Sequence, residues 1–311
     1  MPRKVPFPLP PLPSGEFHPR RDLGHWHDLV QRDVGIIRWF IQDEMGLNFE
    51  ESPLKQALDI YVQVDRNVVA PAFDDIPIER RQHGLHFSAQ FERLAWAIWV
   101  LYGNDAVERM DGSFVRREIM STDSKERGAE QVLPAGVGTM VFAARLVQAG
   151  GGRICLYGNQ VEGHDIRWVT NDGDLVLVER KDRPYEPGLN DTPAKRCRWI
   201  IGKVNETKIP TEEPGAFRVL SVGFQSLVRN AETEEMDKRY ERALREAFTD
   251  KPKSDLPHVV IIEHLGLEPR SGGEHSNFFS PQPLNLSRDE MDAKQERVLR
   301  LLVRAIGADP D

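Results

Sequence analysis

Cysteine is nearly absent from the 311-residue chain. Only Cys155 and Cys197 occur, and neither sits in a CxxC pair or a Cys/His ligand spacing, so the pattern of a zinc site is missing. So few thiols fit a reducing compartment. An excess of positive charge is also missing. With 41 Lys and Arg against 49 Asp and Glu, the formal net charge is −8. A general polyanion binder is excluded, and any contact with phosphates must come from a local basic patch. Long apolar runs are lacking too. The longest, Leu94 to Tyr102, falls far short of the roughly 20 residues that cross a bilayer. The opening MPRKVPFPLPPLPSG is too rich in proline to supply the apolar segment of a signal peptide. The expectation is a soluble cytoplasmic protein with no membrane association, its oligomeric state open.

What is present divides into two halves. Residues 1–14 form a proline-rich arm, with a PxxP spacing from Pro8 to Pro13. From His25 to about Met45 apolar residues recur at helical spacing. Ser52 is an N-cap candidate with Pro53 in the first turn of a second helix. A third spans Ser88 to Leu101, apolar nearly all round, and reads as buried; its Trp96 and Trp99 read as packing residues. Residues 15–128 are therefore expected to be a helical domain, a candidate surface for a protein partner, substrate or oligomerisation. The charged, glycine-punctuated stretch 103–134 reads as a linker or peripheral segment, with a boundary near 125–133. No internal repeat is visible.

Residues 129–311 alternate between periods. A helix is expected at 138–148, then strands at 153–157, 165–170 and 174–181. A basic helix follows at 193–207, then a strand at 217–223, a charged helix at 231–248 and a strand at 258–263. A last helix is expected from a capping box of Ser287 and Glu290. This order means a mixed α/β domain with helices covering a central sheet.

The chemistry concentrates in HDIRWVTNDGDLVLVERKDR, residues 164–183. An apolar run, Leu175 to Val178, ends abruptly in Glu179, Arg180 and Lys181, which mounts charges on a rigid strand. Asn171-Asp172-Gly173 suits a three-residue hairpin loop, a type I turn followed by a left-handed glycine. That loop sets residue 170 opposite 174 and therefore 165 opposite 179, with Cβ atoms roughly 5 Å apart. Lys181 shares their face. A two-residue loop would pair Asp165 with Arg180 and part the carboxylates. Two carboxylates this close repel unless a cation lies between them. Oxygen ligands favour Mg²⁺, with Mn²⁺ as a substitute. Such an ion can polarise a phosphoryl oxygen and activate water, and Lys181 can add positive charge beside the attacked phosphate.

Asp165 followed by Glu179-Arg180-Lys181 resembles the D…(D/E)xK signature of the PD-(D/E)xK, or restriction-endonuclease-like, nuclease superfamily. The expected elements over roughly 134–225 follow that family's αβββαβ order. The resemblance implies that Asp165 and Glu179 bind the metal, that Lys181 assists the attacking water, and that the substrate is DNA or, less often, RNA. It also implies a place in defence or DNA processing. His164 replaces the usual proline. The acidic residue that many members carry on the first helix is missing from 138–148, leaving Glu130 upstream as the candidate. Between Glu179 and Lys208 eight basic residues face five acidic ones, and Lys195, Arg196, Arg198 and Lys203 are candidates for a nucleic-acid backbone. Two rivals stand beside this reading: an inactive nuclease fold serving as an interaction platform, and a nuclease gated by a partner or effector on the helical half. The His25/His27 and His83/His86 pairs lack a third ligand. The segment 271–275 lacks the lysine of a phosphate loop and reads as a loop.

Overall fold

The computed structural model describes residues 5–6, 23–56, 58–59, 78–120, 134–157, 164–183, 192–207, 213, 215–224, 233–252, 255–267, 275–286 and 291–307. Six longer helices appear in it: α1 (Leu23–Trp39), α2 (Ile78–Gly103), α3 (Pro134–Gly150), α4 (Pro193–Glu206), α5 (Thr233–Phe248) and α6 (Ala293–Ala305). The seven strands are β1 (Val107–Met110), β2 (Arg153–Leu156), β3 (Ile166–Val169), β4 (Leu175–Arg183), β5 (Phe217–Phe224), β6 (Val259–Leu267) and β7 (His275–Pro283). They form one mixed sheet in the order β1 to β7. The β2–β3–β4 meander is antiparallel, β4, β5 and β6 run parallel, and β7 returns antiparallel. Between 134 and 224 the order is α, β, β, β, α, β, as the alternation of periods leads one to expect.

Side-chain alternation along the strands feeds two hydrophobic cores. Ile154, Leu156, Ile166, Trp168, Val176, Val178, Val219 and Ile261 point to the side covered by α1, α2, α3 and α6. Leu220, Val222, Val260 and Ile262 point to the other side, beneath α4 and α5. Because the first cluster runs from Val30 to Ile306, the N-terminal helices and the sheet share one core. Among the described residues no helix is long and apolar enough to cross a membrane.

Local chemistry sets several boundaries. Thr192 caps α4 by accepting from the Lys195 amide, with Pro193 in the first turn where no donor is needed. Ser52 does cap the second helical segment, its Oγ accepting from the Lys55 amide at 3.2 Å. Three expectations need correction. The segment read as a linker supplies β1, a short edge strand parallel to β2, then a helical turn at Gly112–Phe114 that continues as a π-helical turn at Val115–Ile119. Helix α2 begins ten residues before Ser88. The last helix is capped by Asp292 and Gln295, each side chain bonded to the other's backbone amide, rather than from Ser287, which lies outside the described residues. Also outside them lie the 125–133 boundary, Glu130, Ser271–Glu274 and most of the proline-rich arm. Both histidine pairs fall on helical backbone, their side chains beyond the description.

Candidate active site

The β3–β4 hairpin has the three-residue loop. Thr170 and Asp174 face each other, the Thr170 amide donating to Asp174 O at 3.0 Å, and the Gly173 amide returns to Thr170 O at 3.0 Å. Gly173 takes φ +79°, a conformation that costs glycine least. The register runs from Val169 opposite Leu175 to Ile166 opposite Val178. Beyond Ile166 the ladder leaves this register: the Asp165 amide donates to Val178 O at 2.9 Å, and Glu179 reaches the Asp165 carboxyl through its charge. Asp174 anchors the turn from below: nearly buried, it accepts two bonds from Arg297 of α6, at 2.7 and 2.8 Å.

On β4 the side chains alternate. Glu179 and Lys181 pair in register with Leu220 and Val222 and so lie on the α4/α5 side; Arg180 and Asp182 take the α3 side. Asp165 Oδ2 accepts the backbone N–H of Arg180 at 2.7 Å. Burial pushes the Asp165 carboxyl up to about 6, against the pull of Lys181 and the Arg180 amide; Glu179 and Glu118 push the same way as burial. Lys181 Nζ lies 2.9 Å from Glu179 Oε1. Burial acts to lower the Lys181 ammonium, but Glu179, Asp165 and Glu118 outweigh it and raise it, keeping the amine charged. Among the described residues, the buried Glu179 Oε2 has no hydrogen-bond partner. An acceptor left so is costly.

Glu118 is the residue that sequence reasoning missed. It sits in the π-helical turn of the supposed linker, and its charge reaches both Asp165 and Lys181. The sequence signal was weak: an ERM…RREI stretch with no clean period. π-helical turns are uncommon and concentrate at functional sites.

Behind the site, on the α3 side, lies a buried ionic network. The Arg180 guanidinium donates to Asp182 Oδ1 and Oδ2 at 2.6 and 2.9 Å, to Ser221 Oγ at 2.7 Å and to Glu263 Oε2 at 2.7 Å. Arg93 of α2 closes on Glu263 Oε1 at 2.8 Å. Burial works against the Glu263 carboxylate, yet Arg180, Arg93 and Arg145 hold it down at about 2. Room for these groups comes from missing side chains. A Cβ on Gly223 would lie 2.0 Å from Asp182 Oδ1, and one on Gly138 2.4 Å from Asp182 Oδ2.

The basic helix is less uniform than its sequence suggests. Lys195 and Arg198 are exposed. Arg196 is buried, its guanidinium 5.7 Å from the centre of the Phe224 ring, so it leaves the phosphate-facing set. Lys203 is engaged by Glu206 at 2.6 Å.

Among the described residues no group of three or more His, Cys, Asp or Glu is disposed to hold a metal ion. The donor set at the hairpin is a pair of carboxylates, Asp165 and Glu179. An all-oxygen pair with one orphaned buried oxygen suits a hard cation that keeps most of its ligands as water, as Mg²⁺ does with one or two carboxylates. Comparison of the chain with protein-family models, with curated proteins and with solved structures finds no match.

Proposed function

We propose that the chain is a Mg²⁺-dependent nuclease of the restriction-endonuclease-like type, hydrolysing phosphodiester bonds of nucleic acid, most readily DNA. The observation that carries the reading is the half-buried Glu179, whose Oε1 meets Lys181 and whose Oε2 has no hydrogen-bond partner among the described residues, with both charges bearing on the nearby Asp165 carboxyl. The antiparallel β2–β3–β4 meander with β5 parallel to β4 supports it as well.

Each side chain has a distinct role in this reading. Asp165 and Glu179 would hold the ion, Mn²⁺ serving as a substitute; when bound it polarises a phosphoryl oxygen and lowers the pKa of water. The Arg180 amide fixes the Asp165 carboxylate, so one oxygen stays aimed while the other remains available. Lys181, held charged by its acidic neighbours, contributes positive potential where the transition state gathers negative charge. Glu118 adds a third carboxylate within electrostatic reach. Lys195 and Arg198 remain the candidates for phosphate contacts.

The test is cleavage of plasmid, linear and single-stranded DNA and of RNA by the purified chain, with Mg²⁺, Mn²⁺ or EDTA, alongside Asp165→Asn, Glu179→Gln and Lys181→Ala. Metal-dependent cleavage abolished in all three variants is expected. Cleavage that survives them, or no cleavage of any substrate, overturns the reading.

A further inference from the structure

At the opposite end of the hairpin from Asp165 lies a cleft of about 710 Å³, between the C-terminal ends of α2 and α3 and the β3–β4 turn. The four residue steps from Asp165 to Val169 separate it from the carboxylates by ~13 Å. Its volume falls in the range of small-molecule sites.

Its lining has a definite chemistry. One wall is the face of α2 that carries Trp96 and Trp99 three residues apart. Both indoles pack into the core, Trp96 almost fully buried and Trp99 partly open. The rim carries three exposed carboxamides, Asn104, Gln148 and Asn171, each with donor and acceptor capacity, though Asn104 Nδ2 already donates to Val100 O at 2.7 Å. The two charged groups on the rim satisfy each other: Arg153 Nη1 donates to the Asp105 carbonyl at 2.8 Å and lies 3.7 Å from its carboxylate. Helices α2 and α3 both end here, at Gly103 and Gly150, and present the negative ends of their dipoles. An anion is therefore the wrong occupant. The floor is rigid: Gly151 and Gly152 have φ of +59° and +87°, and a Cβ on Gly152 would lie 2.0 Å from Val169 O.

A partly open indole, neutral donor–acceptor groups at the rim and a mutually paired Arg153 and Asp105 fit one ligand class. From these features we infer that the cleft binds a nucleobase, its ring against the open side of Trp99 and its edge read by Gln148 and Asn171. Carboxamides can pair bidentately with a base edge, and stacking on aromatic side chains tolerates any base. The base can belong to a free nucleoside or to an unpaired position of a nucleic acid. Either one touches Asn171 of the hairpin that also carries Asp165 and Glu179. Base binding does not depend on the proposed nuclease chemistry.

The experiment titrates the full chain with adenosine, guanosine, cytidine and uridine, and separately with single-stranded homo-oligonucleotides, by isothermal calorimetry in EDTA. Trp99→Leu, Gln148→Ala and Asn171→Ala are compared after a thermal melt verifies folding; the two rim variants carry the test should Trp99→Leu not fold. Saturable binding is expected, weakened about tenfold by loss of the indole and severalfold by loss of either carboxamide. Binding of nucleosides and oligonucleotides alike identifies free bases as sufficient; binding of oligonucleotides alone, with the same variant sensitivity, identifies the base of a strand. Retention of binding in Asp165→Asn separates the cleft from the carboxylate site. No saturable binding in either arm overturns the inference, as does binding indifferent to all three variants or lost in Asp165→Asn.

Discussion

Arg93 and Glu263 stand 170 residues apart in the chain and meet in a buried salt bridge of 2.8 Å. That bond ties the N-terminal helix α2 to strand β6, next to the sheet's edge, and through the second Glu263 oxygen to Arg180 of the central strand β4. Removing Arg93 leaves Glu263 Oε1 without this donor while Arg180 still holds Oε2. Arg93→Ala is expected to lower unfolding free energy by about 1.5–3 kcal/mol, measured by urea denaturation. An Arg93→Met/Glu263→Gln double variant should recover part of that loss, because no carboxylate is left short of a donor; a fully additive loss would show the two side chains to be uncoupled.

The same carboxylate gives a pH signature. Held at about 2 against a reference of 4.5, Glu263 contributes stability that is fully present above 4.5 and is lost as pH falls toward 2. His264 acts over a higher window. It lies between the rings of Phe224 and Tyr240, and Tyr240 Oη is 3.1 Å from its Nε2. Burial, with Arg196 beside it and against the pull of Glu263, lowers it from 6.5 to about 3. Above 6.5 the ring is neutral both folded and unfolded. Below that only the unfolded chain takes the proton, so stability declines with falling pH until about 3, by at most about 1.4 kcal/mol per pH unit. In His264→Phe the slope between pH 6 and 4 should be shallower, read from denaturation midpoints at each pH.

Metal binding should register as stability. A ligand at about 100 times its Kd adds about 2.7 kcal/mol, so Mn²⁺ or Mg²⁺ should raise the melting temperature of the natural chain. Asp165→Asn and Glu179→Gln should lose that response while still melting cooperatively. A rise that persists in both would move the cation elsewhere.

Two glycines provide a steric control on the hairpin. At Gly173 a Cβ meets nothing within 4 Å, so Gly173→Ala is strained only by its φ of +79° and should cost about 1–2 kcal/mol. Gly152→Ala combines φ +87° with a 2.0 Å approach to Val169 O and should be clearly the more destabilising of the two. Comparable denaturation midpoints for the two variants would contradict this packing.

The hairpin register was legible because turn chemistry and strand alternation agree on it: Asn171-Asp172-Gly173 and the run Leu175–Val178 point to one pairing. Helices α3 and α4 were legible for the same reason, period and caps coinciding. Strand β1 was not, because VERM is short, charged and at an edge, where neither alternation nor burial marks it. Strand β7 was hidden by Pro281 and Pro283. The inward turn of Arg196 and the burial of Arg180 and Asp182 escaped notice because charged residues read as solvated until a partner across the fold is known. Glu118 could not be joined to Asp165 by spacing, since tertiary packing alone brings that turn to the sheet.

Those two prolines have a consequence for assembly. The Leu284 amide points inward to His258 O, so by alternation the amides at 281 and 283 would point away from the sheet, and proline supplies none. The β7 margin therefore lacks two of the donors that an incoming strand would need. Strand addition is therefore disfavoured at the Pro281–Pro283 end of this edge.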